Sequence, residues 1–255
     1  MADAATPPSE APAPVPSAPA QSAPAQPAQP AQPAPTAAVT DASLRLGLPL
    51  RWAPQRLQPL LRGRPFAGRA RPVTHHGSVD VLLEVIDESD PGDVLVIDNA
   101  GRLDEACIGD LMVAEAALAG IAGIVLWGMH RDTAQLHDIG LPLHSLGAFP
   151  LGPRRVPPTG PVMRAVSLDS VLVTDEDVVV ADDDGALFVA ADRYDEVVEV
   201  ARAIQATESR QARLIQEGTS LREQLDFAAY LAARRLDPSL TLRRHLLSRD
   251  AAIEV

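Results

Sequence analysis

Gly109-Asp110-Leu111-Met112 and Arg131-Asp132 decide how this chain reads. Between Asp110 and Arg131 lie twenty residues, a D-x20-R-D pattern, and those residues fall into two kinds. From Asp110 to about Ala119 the apolar spacing is helical, closed by Gly120; from Ile121 to Trp127 the run is apolar throughout and ends at Gly128. A helix followed by a buried strand predicts that the chain turns back and sets Arg131-Asp132 beside Gly109. Each half also looks like a helix start, since Asp132 caps a stretch through about Asp138 that Gly140 ends. Two carboxylates, one guanidinium and a set of unpaired N–H groups then face one pocket.

The flanking sequence extends the pattern. Pro91-Gly92-Asp93 turns into Val94-Leu95-Val96-Ile97-Asp98, a buried strand ending in polar residues and Gly101. Phe66 to Val73 reads as a strand, Val79 to Ile86 as a helix, and Leu141 to Leu146 as a further strand. Thr40-Asp41 offers an N-cap for a short helix through Leu46, stopped by Gly47. Short apolar strands alternating with helices predict an α/β core with parallel strands. After Val162 the character changes: Val171–Val173, Val178–Val180 and Ala186–Val189 are strand-like, and Asp183-Asp184-Gly185 signals a hairpin. A long polar helix from Arg193 to about Gln216 follows, then helical stretches over Leu221–Arg235 and Leu240–Leu247. Residues 1 to about 35 are almost entirely Pro, Ala, Gln and Ser, a composition that cannot bury a core and predicts a disordered tail.

The residue types at the D-x20-R-D pattern point to a chemistry. The first N–H groups of a helix favour an anion, so Gly109, Asp110, Leu111 and Met112 are candidates to hold a substrate carboxylate. Arg131 can clamp a carboxylate or polarise a keto oxygen. Asp132 and Asp110 supply the hard oxygens that Mg²⁺ or Mn²⁺ accepts, usually with several waters retained. Taken singly, each aspartate reads as an N-cap and Arg131 as a solvated surface residue; the spacing joins them. A divalent cation and a small 2-oxo acid fit such a pocket.

Composition removes other chemistries. All 22 basic residues are arginine, a bias that GC-rich coding explains. Without lysine there is no Schiff base, no pyridoxal-phosphate anchor and no P-loop lysine. A net charge of −12 and 3% aromatics argue against nucleic acid as a partner. Cys107 is the only cysteine, which excludes an intrachain disulfide and reads as a small buried thiol in a reducing compartment. No basic-then-apolar leader and no run of about 18 apolar residues appear, so a cytoplasmic protein without membrane contact is expected.

The D-x20-R-D pattern, the Val94–Asp98 strand with Gly101, and Gly120-Ile121-Ala122-Gly123 together resemble the family shared by 4-hydroxy-4-methyl-2-oxoglutarate aldolases and the RNase E activity regulator A. The likeness runs from about Thr36 to about Gly218, leaving residues 219–255 as a C-terminal helical extension. It implies a swivelling β/β/α phosphohistidine-type α/β fold, assembled as a homotrimer or hexamer with the site at a subunit interface. It implies metal-dependent cleavage of 4-hydroxy-4-methyl-2-oxoglutarate-type substrates to pyruvate, with oxaloacetate decarboxylation. Carried over by motif, Gly109 to Met112 contact substrate, while Arg131 binds the pyruvate part. Asp132 holds the metal, and Asp110 holds it through water. A glutamate from a neighbouring subunit's long helix completes the site, aligned with Glu208 or, failing that, Glu217. The resemblance equally allows a regulator that binds and inhibits a ribonuclease. The chain departs from the family's pattern at Trp127, where an acidic residue is usual, and at Leu168-Asp169 and Thr174-Asp175-Glu176-Asp177.

Remaining polar clusters read as structural. His75-His76 are adjacent on an extended chain and point to opposite sides, which suits one metal poorly. His130 either assists proton transfer or faces solvent from a loop. Asp182 to Asp184 lack the spacing of a calcium loop and read as a turn.

Overall fold

The computed structural model describes residues 32–75, 77–154 and 165–247, so the Pro/Ala-rich stretch 1–31 and His76 lie outside the described residues. In chain order, α1 (Thr36–Arg45) leads through β1 (Gln58–Pro59) to β2 (Phe66–Thr74), α2 (Asp80–Asp87) and β3 (Val94–Asp98). The middle holds β4 (Ala106–Ile108), α3 (Asp110–Leu118), β5 (Gly123–Trp127), β6 (Met129–His130), α4 (Thr133–Ile139) and β7 (Leu143–Ser145). Four strands follow, β8 (Ala165–Leu168), β9 (Val171–Thr174), β10 (Asp177–Asp182) and β11 (Gly185–Ala190). The last section is helical: α5 (Tyr194–Gln216), α6 (Leu221–Gln224), α7 (Phe227–Leu236) and α8 (Leu242–Leu247).

The main sheet has seven strands in the order β1-β7-β5-β3-β2-β10-β11. Strands β2, β3, β5 and β7 run parallel, as the alternation with helices requires, and β10 joins β2 antiparallel. Period-2 alternation divides the core. Leu95 and Ile97 of β3 and Ile124 and Leu126 of β5 face α2, α3 and α4. Val94 and Val96, with Val125 and Trp127, face the β8–β9 hairpin and Phe188. A third cluster sets Val180, Leu187 and Val189 against α1 and α5. The sheet also curls until one segment bridges its edges. The Ala53 N–H donates to the Ala186 carbonyl at 2.8 Å and the Phe188 N–H to the Arg51 carbonyl at 2.9 Å, while Gln58 and Pro59 pair with β7.

Two expectations need correction. Helix α1 begins at Thr36 rather than at a Thr40-Asp41 cap, because Asp182 reaches it from the end of β10. Its carboxylate accepts from the Thr36 N–H at 2.8 Å and from the Thr36 hydroxyl at 2.7 Å, capping the helix one turn earlier. The helix expected over Leu221–Arg235 is two helices, broken where Asp226 adopts φ 47°. The Asp183-Asp184 hairpin is present, with Asp182 paired to Gly185.

Gly68 explains how the turn before β3 seats on β2. A Cβ there would lie 1.9 Å from the Gly92 carbonyl oxygen, a backbone atom that cannot swing aside. Gly68→Ala is therefore expected to cost about 2–3 kcal/mol, or roughly 5–10 °C in Tm, by thermal unfolding. An unchanged Tm would contradict this packing.

Candidate functional site

The site rests on a strand pair too short to read from sequence. Strands β4 and β6 run parallel, with Ile108 opposite His130, and the Arg131 N–H donates to the Ile108 carbonyl at 3.0 Å. That bond places Gly109 directly against Arg131-Asp132. A Cβ on Gly109 would fall 2.4 Å from Asp132 Oδ2 and 3.0 Å from Arg131 Nε. Only glycine leaves that space. Its φ of −140° is ordinary extended backbone, so closeness rather than conformation demands the residue.

From Gly109 the chain enters α3, whose first N–H meets the Asp132 carboxylate. Asp132 Oδ2 lies 3.4 Å from the Asp110 N–H and 3.2 Å from Arg131 Nε. Asp110 Oδ1 accepts from the Leu111 N–H at 2.8 Å. Asp132 holds the N-cap position of α4 but does not cap it. Its backbone is left-handed (φ 58°, ψ 39°), and its side chain turns to α3 instead. Aspartate is among the few residues that tolerate that conformation, which in general costs of order 1–3 kcal/mol.

Beside these groups lies a cavity of about 220 Å³. Its floor is apolar (Val79, Cys107, Ile108 and Met112), and Arg131 and Pro153 form a wall. Gly109, Asp110 and Leu111 also line it, while Asp132 stands at its margin through its contacts with Arg131 and Asp110. The volume suits a molecule of a few heavy atoms. Sequence reading missed Val79 and the loop carrying Gly152 and Pro153. A Cβ on Gly152 would lie 2.7 Å from Arg131 Nη1, so this loop packs directly on the guanidinium. The one legible hint was Gly152-Pro153 itself, a dipeptide that marks a turn.

The donor set can be tested against a divalent cation. Asp110 and Asp132 offer hard carboxylate oxygens, and the space above Gly109 is kept free of side chain; both suit Mg²⁺ or Mn²⁺ with waters retained. Among the described residues no three His, Cys, Asp or Glu side chains gather closely enough to hold a metal ion. Glu208 is exposed on α5, whose buried face packs with α1 against β10 and β11, and it does not join the aspartates within the chain. Glu217 follows the end of α5 and pairs with Arg213 at 3.8 Å.

Other candidates are buried. His130 is buried, not solvent-facing: Nδ1 meets the Ser145 hydroxyl at 2.8 Å and Nε2 the Thr133 hydroxyl at 3.2 Å. Burial, with a smaller contribution from His137, holds its pKa below the ordinary 6.5. Cys107 is buried, and burial followed by Glu105 raises its pKa well above the usual thiol value. His75 is also buried, its Nδ1 3.0 Å from Asn99 Oδ1. Trp127 packs on Gly101, where a Cβ would lie 2.9 Å from the indole, so the residue that breaks the expected pattern is core.

A family profile described as RraA-like (Aldolase/RraA) matches residues 36–188. The chain belongs to the RraA-like family. Among solved structures it is similar to an uncharacterized protein from Pseudomonas syringae pv. tomato. The TM-score there is 0.64 and the identity 28%, over 74% of this chain and 91% of that one. It is also similar to Streptomyces coelicolor RraAS2, described as an unusual member of the RNase ES inhibitor RraA protein family. That match has a TM-score of 0.61 and 29% identity, over 68% and 89% of the two chains. Among curated proteins, DlpA of Legionella pneumophila is 30% identical over 138 residues, 54% of this chain but only 22% of that protein's length. The expected α/β class with C-terminal helices is the fold observed. Among the described residues no helix is long and apolar enough to cross a membrane.

Two outcomes test this geometry. Because the folded-state pKa of His130 is lowered, the unfolded chain binds the proton more readily. Its contribution to stability is complete above pH 6.5 and is lost as pH falls toward the folded pKa. The Tm of His130→Gln is expected to fall less steeply than wild type between about pH 7 and 5; parallel slopes would contradict it. Gly109→Ala is expected to keep the fold with a loss of about 1–3 kcal/mol, its Cβ forcing Asp132 and Arg131 aside, and a crystal structure with both side chains unmoved would refute the crowding.

Proposed function

We propose that this chain is a divalent-metal-dependent carbon–carbon lyase acting on small 2-oxo acids, cleaving 4-hydroxy-4-methyl-2-oxoglutarate-type substrates to pyruvate and decarboxylating oxaloacetate. The observation that carries this reading is the contact of Asp132 Oδ2 with both the Arg131 guanidinium and the N-terminus of α3. One carboxylate, one guanidinium and one helix start share a point beside a cavity of about 220 Å³.

The residues divide the work. Asp132 would hold the cation directly and Asp110 through water, and the bound cation supplies a Lewis acid for the negative oxygen that cleavage creates. Arg131 binds the 2-oxo acid and steadies the same developing charge. The first N–H groups of α3 attract the substrate carboxylate. To reach the Asp110 N–H it displaces the 3.4 Å contact with Asp132, a long and therefore weak one. Val79, Ile108 and Met112 receive the carbon end and exclude water from it. In oxaloacetate decarboxylation the C3–C4 bond breaks, CO₂ leaves with C4, and the electron pair passes to the enolate oxygen. A proton delivered to C3 from water then yields pyruvate. A lysine imine is unnecessary, which agrees with a chain that has no lysine.

The proposal extends to assembly as a homotrimer or a hexamer built from trimers, with Glu208 of a neighbouring copy as the further metal ligand. It is supported by two exposed leucines of α3, Leu111 at the cavity and Leu118 at the helix's far end, which are 81% and 84% exposed. The similarity to RraAS2 favours a second reading, in which the chain binds and inhibits a ribonuclease. Salt-sensitive co-purification with an RNA-degrading enzyme, without turnover, would support that instead.

Purified protein with Mg²⁺ is expected to release pyruvate from oxaloacetate above the rate of Mg²⁺ alone. Asp132→Ala and Arg131→Gln should each lower kcat/KM by about 100-fold or more. Activity that survives both chelation and Asp132→Ala would refute the lyase.

A further inference from the structure

Gly152 is glycine for a reason that lies in Arg131 and not in its own backbone. It is buried and is not among the glycines of the left-handed region, so its conformation does not demand the residue. The three heavy atoms nearest a Cβ built there all belong to Arg131: Nη1 at 2.7 Å, Cζ at 3.2 Å and Nε at 3.8 Å. Gly109 crowds the same side chain from another segment, at Nε and Cγ. Two glycines far apart in sequence thus leave room for one guanidinium.

The loop carrying Gly152 is tied in place. The Ala106 N–H donates to the Leu151 carbonyl at 2.7 Å and the Phe149 N–H to the His130 carbonyl at 2.8 Å, which fastens the loop to β4 and β6. A guanidinium is the far end of a flexible side chain. A methyl group at position 152 would therefore move Arg131 and leave the backbone where it is. Arg131 needs such a wall. Among the described residues Asp132 is its one ionic partner, at 3.2 Å, and the two side chains are 44% and 33% exposed. Pairs open to water hold a long side chain weakly. Under the lyase reading, on which this inference rests, Asp132 also turns to the cation, and its hold on Arg131 slackens further. A planar fork grips a carboxylate through two parallel bonds only when its orientation is fixed.

We propose that Gly152 is a positioning residue: its bare α-carbon fixes the Arg131 guanidinium, so that loop 148–153 sets affinity for the carboxylate of the 2-oxo acid without touching the reacting carbons. The test joins a structural and a kinetic readout on the full chain. The Arg131 Nε–H nuclear magnetic resonance signal, identified by its loss in Arg131→Gln, should shift in Gly152→Ala while the circular dichroism spectrum stays that of wild type. With Mg²⁺ and oxaloacetate, Gly152→Ala should raise KM about tenfold, the order of one hydrogen bond to a charged group, with kcat within about threefold. In the Arg131→Gln background the same change should alter kcat/KM by less than about twofold, because its effect passes through Arg131. An unmoved Nε–H signal overturns the proposal, as does an unchanged KM or a loss that persists in full in Arg131→Gln. Wild-type protein that releases no pyruvate, with the signal shifted in Gly152→Ala, supports the positioning of Arg131 and refutes the lyase reading instead.

Discussion

One backbone hydrogen bond, from the Arg131 N–H to the Ile108 carbonyl, is the constraint on which the candidate site depends. It closes a loop that leaves through α3 and returns through β5, and it brings the starts of two helices to one point. Everything chemical there follows from that registration. Gly109 must be glycine because Asp132 and Arg131 occupy its side-chain space, and Asp132 adopts a left-handed backbone so that its carboxylate turns to α3 rather than α4. The rigid parallel strands β3 and β5 beneath hold the two ends in register over five paired residues each. A site of two aspartates and an arginine thus rests on regular structure, with loops adding only the cover at Gly152 and Pro153.

Much of this was legible because the signals were local. Val94–Asp98 is bounded by Pro91-Gly92-Asp93 and Gly101, so its limits could be read directly. Asp183-Asp184-Gly185 marked its hairpin for the same reason. The meeting of Asp110 with Asp132 followed from twenty residues that had to be one helix and one strand. What was hidden depended on distant partners. The cap of α1 comes from Asp182, 146 residues away, so Thr40-Asp41 looked like the better start. Strands β4 and β6 span three and two residues, too few for any periodicity to show. The break at Asp226 rests on a left-handed backbone at a residue that resembles an ordinary helix position.

His130 illustrates a different limit. Its neighbours Arg131 and Asp132 are polar, and that suggested a solvent-facing loop. Pairing of β6 with β4 and a bridge to Ala148 bury it instead, with Ser145 and Thr133 taking both ring nitrogens. Both ring nitrogens are thus engaged within the protein, on the strand that presents Arg131. Among the described residues no third acidic side chain joins Asp110 and Asp132, and it is the family resemblance that brings a partner copy's glutamate into the proposed function.

Under the proposed function, Asp110 and Asp132 jointly receive a divalent cation whose binding is coupled to a 2-oxo acid. The most direct measurement is titration of Mn²⁺ followed by its electron paramagnetic resonance signal, with and without pyruvate. One saturable site per chain is expected, tightening when pyruvate is present and disappearing in the Asp110→Ala, Asp132→Ala double variant. Mn²⁺ binding that is indifferent both to pyruvate and to the loss of the two carboxylates would contradict it.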